Sequence, residues 1–157
     1  MDYSIEIAPL ETLPTDCIII GVYQNQQLVS FGAAISDNLH QVIAKVISRG
    51  DNNGKLADTV LINVLPNCGI ERVLLVGLGE NKPLLPKNYR KILSAAANSL
   101  KKPYIKSIAI GLAGVSVEGC GTAWNVRQIV EVFSDAVYQF TALKSDKETE
   151  SKLQKVM

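Results

Sequence analysis

The residues that most often carry out chemistry are few and scattered in this sequence. The lone histidine, His40, lies in a segment with helical spacing, and neither Ser36 nor Ala44, four residues away on either side, is a histidine or a carboxylate. A metal site or an acid–base pair on a helix needs a partner at such a spacing. The sequence therefore predicts a partly exposed histidine with no catalytic or metal-binding role.

The three cysteines, Cys17, Cys68 and Cys120, lie far apart, and none forms a Cys-x-x-Cys pair. No histidine or basic residue stands next to Cys68 or Cys120, so nothing nearby would stabilise a thiolate. Cys17 opens an apolar run, where a thiol behaves as a small hydrophobe. An odd number of widely spaced cysteines favours a reducing compartment, and we expect a cytoplasmic protein without a catalytic cysteine.

The carboxylates do not form a cluster along the chain. Asp146, Glu148 and Glu150 lie in a charged stretch with almost no apolar residues, which is typical of a solvated segment. No apolar stretch approaches the roughly 20 residues that span a bilayer, so we expect no contact with a membrane. We expect no catalytic residue, no cofactor-binding residue and no metal ligand in this chain.

Two glycine-containing segments, 77–82 and 119–124, begin like a dinucleotide-binding loop. Their sixth positions hold Lys82 and Trp124, where the G-x-G-x-x-G fingerprint has glycine, and no Walker lysine follows either one. Turn formation accounts for these glycines, since glycine readily adopts positive φ. The glycine-rich loop at 111–121 precedes a helix, a place where an anion can bind.

The charge balance argues against a general nucleic-acid-binding surface. The chain has 16 basic and 15 acidic side chains and a formal net charge of +1. The basic residues that gather around one predicted helix are Lys87, Arg90, Lys91, Lys101, Lys102 and Lys106. They could form a positive face, but surface lysines more often serve solubility.

The hydrophobic pattern predicts strands that alternate with helices. Residues 3–7 alternate as in a half-buried edge strand, and 17–22 is a continuous β-branched run, expected of a strand covered on both faces. Residues 59–65 and 72–78 read as two central strands, antiparallel because their connection is too short for a crossover helix. A further strand is expected at 105–110.

Three helices complete the pattern. The first covers 35–47, with Ser36 or Asp37 as its cap, and ends at Gly50, after which 50–54 reads as an exposed turn. The second begins near Pro86 and buries a stripe that includes Tyr89. The third begins near Thr122, and its predicted buried face is Val126, Val130, Phe133, Val137 and Phe140. This order predicts an α/β fold with a mixed sheet flanked by helices.

Several strings, in their order and spacing, resemble the N-terminal domain of bacterial leucine (cytosol) aminopeptidases. They are CIIIGV at 17–22, SRG at 48–50, GK at 54–55, ERVLLVGLG at 71–79, WNVRQ at 124–128 and LK at 143–144. The resemblance covers about residues 18–147. It implies a macro-domain-like three-layer sandwich that precedes a larger catalytic domain.

The resemblance also implies a function for the longer protein. Members of this family are cytosolic hexamers that remove N-terminal amino acids, leucine among others, from peptides. Two divalent metal ions, manganese or zinc, position a water molecule or hydroxide for attack on the peptide carbonyl. The metal ligands and the catalytic lysine and arginine belong to the catalytic domain, and the family motif NTDAEGR is not found in this chain. The resemblance therefore implies no catalytic residue in this sequence.

Residues 1–143 are therefore expected to form the N-terminal macro-like domain, and 144–157 to begin a linker to a catalytic domain that is absent here. The expected partners are that catalytic domain, further copies of the chain, and peptide substrates that bind through the catalytic domain. Two alternatives stay open. One is a stand-alone module that binds ADP-ribose-type ligands through the loop at 111–121. The other is a DNA-binding accessory domain, which the near-neutral charge does not favour.

Overall fold

The computed structural model describes residues 1–29, 35–63, 69–101, 105–142 and 153–157 of the chain. The strands are β1 (Asp2–Tyr3), β2 (Cys17–Tyr23), β3 (Leu28–Val29), β4 (Thr59–Asn63), β5 (Arg72–Gly79), β6 (Ser107–Ile110) and β7 (Lys155–Val156). The helices are α1 (Asp37–Ser48), α2 (Pro86–Ser99) and α3 (Thr122–Ala142), with a short 3₁₀ turn at Leu10–Thr12. No helix within these ranges is long and apolar enough to cross a membrane.

Within the described residues, the strands form one mixed sheet in the order β1-β7-β6-β2-β5-β4, and β3 pairs with β2. β2 is the central strand, parallel to β5 on one side and to β6 on the other. All seven of its residues are buried, as expected of a strand covered on both faces. The predicted α/β fold with a mixed sheet flanked by helices is confirmed.

The side chains of β2 alternate between two separate hydrophobic clusters. Ile18, Ile20 and Val22 pack with α1 on one face of the sheet. Cys17 and Ile19 point to the other face, where α2 and α3 lie. The period of two in a strand therefore divides the domain into three layers, helix, sheet and helices.

Helix α1 begins where the sequence predicts. The Ser36 hydroxyl accepts a hydrogen bond from the Leu39 amide at 3.3 Å, which satisfies one of the first free N–H groups of the helix. Gly50 follows the helix with φ of +82°, the left-handed conformation expected after a helix end. The buried side of the helix is formed by Leu39, Ile43 and Ile47.

The segment 50–54 is only in part the exposed turn that its composition suggests. Asn52 is fully buried, and Gly54 is buried as well. The reason is tertiary, because the chain passes across the end of β5 immediately after this turn, where Gly79 donates a hydrogen bond to the Gly54 carbonyl at 2.8 Å. The expectation of an exposed turn is therefore right for Gly50, Asp51 and Asn53 and wrong for Asn52 and Gly54.

Strands β4 and β5 are antiparallel, as their short connection predicts, with Thr59 opposite Val76 and Asn63 opposite Arg72. β4 is nevertheless at one end of the described sheet, and its residues are half-buried or exposed. The expectation that both strands are central is thus wrong for β4. An apolar run alone does not show on how many sides a strand is paired.

Helix α2 begins with Pro86 in its first turn, where the missing N–H of proline costs no hydrogen bond. Its buried side chains are Tyr89, Ile92, Leu93, Ala96 and Ala97. Helix α3 begins at Thr122 as predicted, but its buried face is displaced from the predicted stripe. Among residues 122–138 the buried ones are Asn125, Gln128, Ile129, Val132 and Phe133, while Val126, Val130 and Val137 are only half-buried; Phe140 lies outside the residues whose burial is described. The prediction differs because two of the buried residues, Asn125 and Gln128, are polar, and a pattern of apolar residues alone does not include them.

The two ends of the chain differ from expectation. β1 is at the sheet edge as predicted, but only Asp2–Tyr3 pairs as a strand, and Ile5 and Ile7 are 79% and 101% exposed. Lys155–Val156 forms β7, which lies between β1 and β6. Within the segment 144–157, which is expected to begin a linker, the backbone of Lys155 and Val156 thus pairs on both sides in this sheet. Residues 144–152, the rest of the expected linker, lie outside the described residues, as does Leu143.

Candidate functional site

The residues that sequence inspection singles out for chemistry do not come together. His40 is exposed on α1. Cys17 is fully buried at the start of β2, Cys120 is half-buried in the loop before α3, and Cys68 lies outside the described residues. Among the residues that the structure describes, no group of three or more histidine, cysteine, aspartate or glutamate side chains is placed to hold a metal ion.

Cys17 has the environment of a structural thiol. Burial raises its pKa from 9.0 to about 12, because the thiolate would lose its solvation. Its thiol is 3.6 Å from the carbonyl oxygen of Ile18. At neutral pH the side chain is therefore a neutral, packed group, and a thiolate nucleophile does not form there.

The glycines at the end of β5 serve backbone packing. Gly77 lies against the backbone of Gly54 and Lys55, so closely that a Cβ on Gly77 would overlap the Lys55 carbonyl. Gly79 has φ of +80°, and its carbonyl accepts a hydrogen bond from the Gln24 amide at 2.9 Å. Lys82, at the sixth position of this segment, pairs with Glu80 at 2.7 Å on the surface. This arrangement fits a turn better than a phosphate-binding loop.

The loop at 111–121 is held by Asn125, which sequence inspection did not select. The Asn125 side-chain amide donates to the carbonyls of Ala113 and Val115, each at 2.8 Å. The amides of Val115, Glu118 and Cys120 also donate to carbonyl groups of the protein. An anion-binding loop needs amides that point outward, so these three are not available to a ligand.

A second set of contacts fixes the same loop to α2. The Tyr89 hydroxyl donates to the Leu112 carbonyl at 3.1 Å, and its ring lies 5.9 Å from that of Trp124, tilted by 43°. Burial raises the pKa of Tyr89, so the hydroxyl keeps its proton. Leu84, just before α2, exchanges two hydrogen bonds of 2.9 Å with Ser116 and Glu118. Trp124 is thus a packing residue, as expected, while Tyr138 on the same helix is 72% exposed.

One concavity, which we call the β2–β5 concavity, lies where many α/β proteins bind ligands. It measures about 450 Å³. Its polar lining includes Gln24 after β2, Glu80 after β5, and Asn88 in the first turn of α2, and the rest of the lining is largely apolar. Its ionisable residues are Glu80, Lys82 and Glu118, two acids and one base. The hydrogen bond from Lys82 lowers the pKa of Glu80, so this carboxyl stays ionised at neutral pH. The concavity therefore favours a cation or a neutral group over an anion.

The predicted basic cluster divides into two parts. Lys87, Arg90 and Lys91 are exposed on the first half of α2, whereas Lys101 follows the helix end, about 20 Å from Lys87 at 1.5 Å of rise per residue. Lys102 lies outside the described residues. Arg90 bonds to Gln128 and pairs with Glu131 at 3.2 Å, which neutralises part of the first group.

The family comparison identifies this fold with a known domain. A model described as the N-terminal domain of the cytosol aminopeptidase family matches residues 19–147. A probable cytosol aminopeptidase of Nitrosomonas eutropha is 32% identical over 158 residues, which cover 100% of this chain and 32% of the relative. One of Methylobacillus flagellatus is 37% identical and is matched over 92% of this chain and 29% of its own length. The chain spans about one third of the length of these relatives.

Solved structures agree on the fold. A macrodomain of Thermus aquaticus DarG has a TM-score of 0.63 at 13% identity, covering 96% of this chain and 97% of its own. A macrodomain of Trypanosoma brucei in complex with ADP-ribose has a TM-score of 0.62 at 14% identity, covering 98% and 62%. A tomato leucine aminopeptidase mutant has a TM-score of 0.62 at 20% identity, covering 98% of this chain and 33% of its own. The fold is macro-domain-like, and the chain belongs to the cytosol aminopeptidase family as its N-terminal domain.

Proposed function

We propose that this chain is the non-catalytic domain of a longer cytosol aminopeptidase and that it serves assembly and substrate access. Two observations together support the proposal, the family match and the lack of a metal-ligand cluster among the described residues. The chain matches an N-terminal domain that makes up about a third of the length of its relatives, and among its described residues no three potential metal ligands lie together. A domain of this kind contributes surfaces rather than reacting groups.

In the longer protein, hydrolysis would belong to a separate catalytic domain. That domain would hold two divalent ions, manganese or zinc, and would remove N-terminal amino acids from peptides in the cytoplasm, as part of a hexamer. The donor set of the described residues does not fit such a centre, since no three potential ligands lie together. We therefore assign no step of metal-assisted hydrolysis to this chain.

The test is an activity and metal-binding measurement on this chain. Leucine p-nitroanilide, supplied with manganese or zinc, should give no turnover above the rate of the metal alone. Calorimetric titration with Mn²⁺ should give no saturable heat in the micromolar range. Metal-dependent turnover that saturates with substrate would overturn the proposal.

Binding of an ADP-ribose-type ligand is a second candidate, and the position of the β2–β5 concavity favours it. The concavity lies at the carboxyl ends of β2 and β5, beside the N-terminus of α2. The charges of the concavity do not favour such a ligand. A diphosphate there would meet two carboxylates, those of Glu80 and Glu118, and only one ammonium group, that of Lys82. The loop at 111–121 also uses several of its amides internally. The assembly role is the better supported of the two.

A further inference from the structure

An apolar groove of about 320 Å³ lies between the first residues of the chain and α3. Its apolar lining includes Ile5, Ile110, Val126, Val130, Val156 and Met157. Ile5 and nearby Ile7 are 79% and 101% exposed. Two exposed isoleucines beside an apolar groove mark a surface that a further apolar group would cover.

The strand register shows what shape fits the groove. β7 lies between two parallel strands, with Val156 opposite Tyr3 in β1 and opposite Ile108 in β6. The pairing extends beyond Val156 toward Met157 on both sides of β7. The Ser4 amide donates to the Val156 carbonyl at 3.0 Å, and the Ile110 amide donates to the Met157 carbonyl at 2.7 Å. Parallel strands advance together, so one more residue after Met157 would lie between Ile5 and Ile110.

The same register indicates whether the side chain of such a residue should be apolar or polar. Tyr3 points to the α3 side of the sheet, where its hydroxyl is 2.7 Å from the Ser134 hydroxyl. Alternation along a strand places Ile5 and Ile7 on that same side. The first and third residues of a longer β7 would thus face Val126 and Val130, and apolar side chains there would cover both isoleucines.

We infer that the groove receives a continuation of β7, which the longer family members supply from the polypeptide that follows the position of Met157. The inference rests on the proposed role of this chain as one domain of a longer protein, since the Nitrosomonas relative is matched over only 32% of its length. The added strand turns residues 4–7 into a strand and accounts for their alternating pattern. It also joins the first residues of this domain directly to the segment that leads to the next one.

The experiment compares the chain with two lengthened forms of it. One carries Val-Thr-Val-Thr after Met157, and the other carries four Gly and Ser residues. The valine form should raise the Tm relative to the glycine form by about 2–4 °C or more. Hydrogen exchange at the Glu6 amide should slow in the valine form only, because that amide would donate to the carbonyl of the first added residue.

Variants on the opposite strand give the matched control. Ile5→Ser and Ile7→Ser should leave the Tm of the unlengthened chain unchanged, because both side chains are exposed, and should lower it in the valine form. Equal Tm values for the two lengthened forms, with unchanged exchange at Glu6, would overturn the inference. Dimerisation of the unlengthened chain, abolished by Ile5→Ser in sedimentation experiments, would also overturn it by making a second copy the occupant. These readouts are independent of leucine anilide turnover, which tests the proposed function.

Discussion

The carbonyl oxygen of Lys55 occupies the space that a side chain on Gly77 would need. The contact exists because the segment after Gly54 pairs with the end of β5, where the Gly77 amide donates to the Asp58 carbonyl at 2.7 Å and the Ala57 amide donates to the Gly77 carbonyl at 2.9 Å. Both partners are backbone groups in a ladder, so neither can move aside without breaking hydrogen bonds.

We therefore expect Gly77→Ala to lower the free energy of unfolding by about 3 kcal/mol or more, through overlap in a packed region. Urea denaturation measures the loss. Gly121→Ala is the matched control, since nothing lies within 4 Å of its added Cβ. Its cost should stay below about 1 kcal/mol, the range for alanine at a helix N-cap. Equal losses for the two variants would contradict the assignment of Gly77 to a close backbone approach.

Asn125 should be the most sensitive polar residue of the domain. It is 2% exposed, and its amide holds two loop carbonyls. Asn125→Ala leaves both carbonyls without this donor, so we expect a loss of about 2–4 kcal/mol in the free energy of unfolding. Asn98→Ala, on the exposed side of α2, should change it by less than about 0.5 kcal/mol. A loss at Asn125 no greater than at Asn98 would show that the loop at 111–121 does not depend on this side chain.

Local signals were sufficient for much of this fold. The β-branched run of β2, the Ser36 cap of α1 and the proline that begins α2 each act within a few residues, and each is found where the sequence predicts it. The same holds for the antiparallel pairing of β4 with β5, which the length of the connection dictates. Such features depend on backbone conformation and on the period of the apolar residues, and both can be read from the chain itself.

Features that depend on distant contacts were not predictable in this way. Asn52 and Gly54 have the composition of an exposed turn, yet they are buried because the chain passes over β5. Asn125 and Gln128 are buried through their hydrogen bonds to a loop and to Arg90, and no local pattern marks a polar residue as internal. β7 comes after a charged stretch and is short, so only its pairing with β1 and β6 shows that it is a strand.

Cys17 should make the stability of the domain fall in alkaline solution. Its pKa is about 12 in the folded protein against 9.0 ordinarily, so the unfolded chain loses this proton first as the pH rises. The contribution of the Cys17 thiol to the free energy of unfolding is fully present below pH 9. It falls between pH 9 and pH 12, by at most about 1.4 kcal/mol per pH unit. Urea denaturation at pH 8, 9 and 10 measures the slope. Cys17→Ala should be less stable at pH 8 and should show a shallower slope above pH 9. An unchanged slope would assign the alkaline loss to other groups, such as Tyr89.

The charges of the β2–β5 concavity lead to a prediction about nucleotides. Calorimetry with ADP-ribose should give no saturable heat at micromolar ligand, because Glu80 and Glu118 would both face the diphosphate. Exchanging both for glutamine removes this repulsion and leaves Lys82 unpaired, so a weak heat should appear in the double variant if repulsion is what prevents binding. Micromolar binding by the unaltered chain would favour the ligand-binding module over the assembly domain.

The separation of the basic residues along α2 predicts that this chain does not bind duplex DNA. Lys87, Arg90 and Lys91 lie at one end of the helix and Lys101 beyond the other, and Arg90 is already paired with Glu131. Few phosphates can be contacted at once, so counterion release supplies little affinity at physiological salt. A gel-shift titration at about 150 mM salt should show no retardation by the chain at micromolar concentration. Retardation that is lost in a Lys87→Ala, Lys91→Ala double variant and kept in Lys106→Ala would instead identify the first half of α2 as a DNA-binding surface.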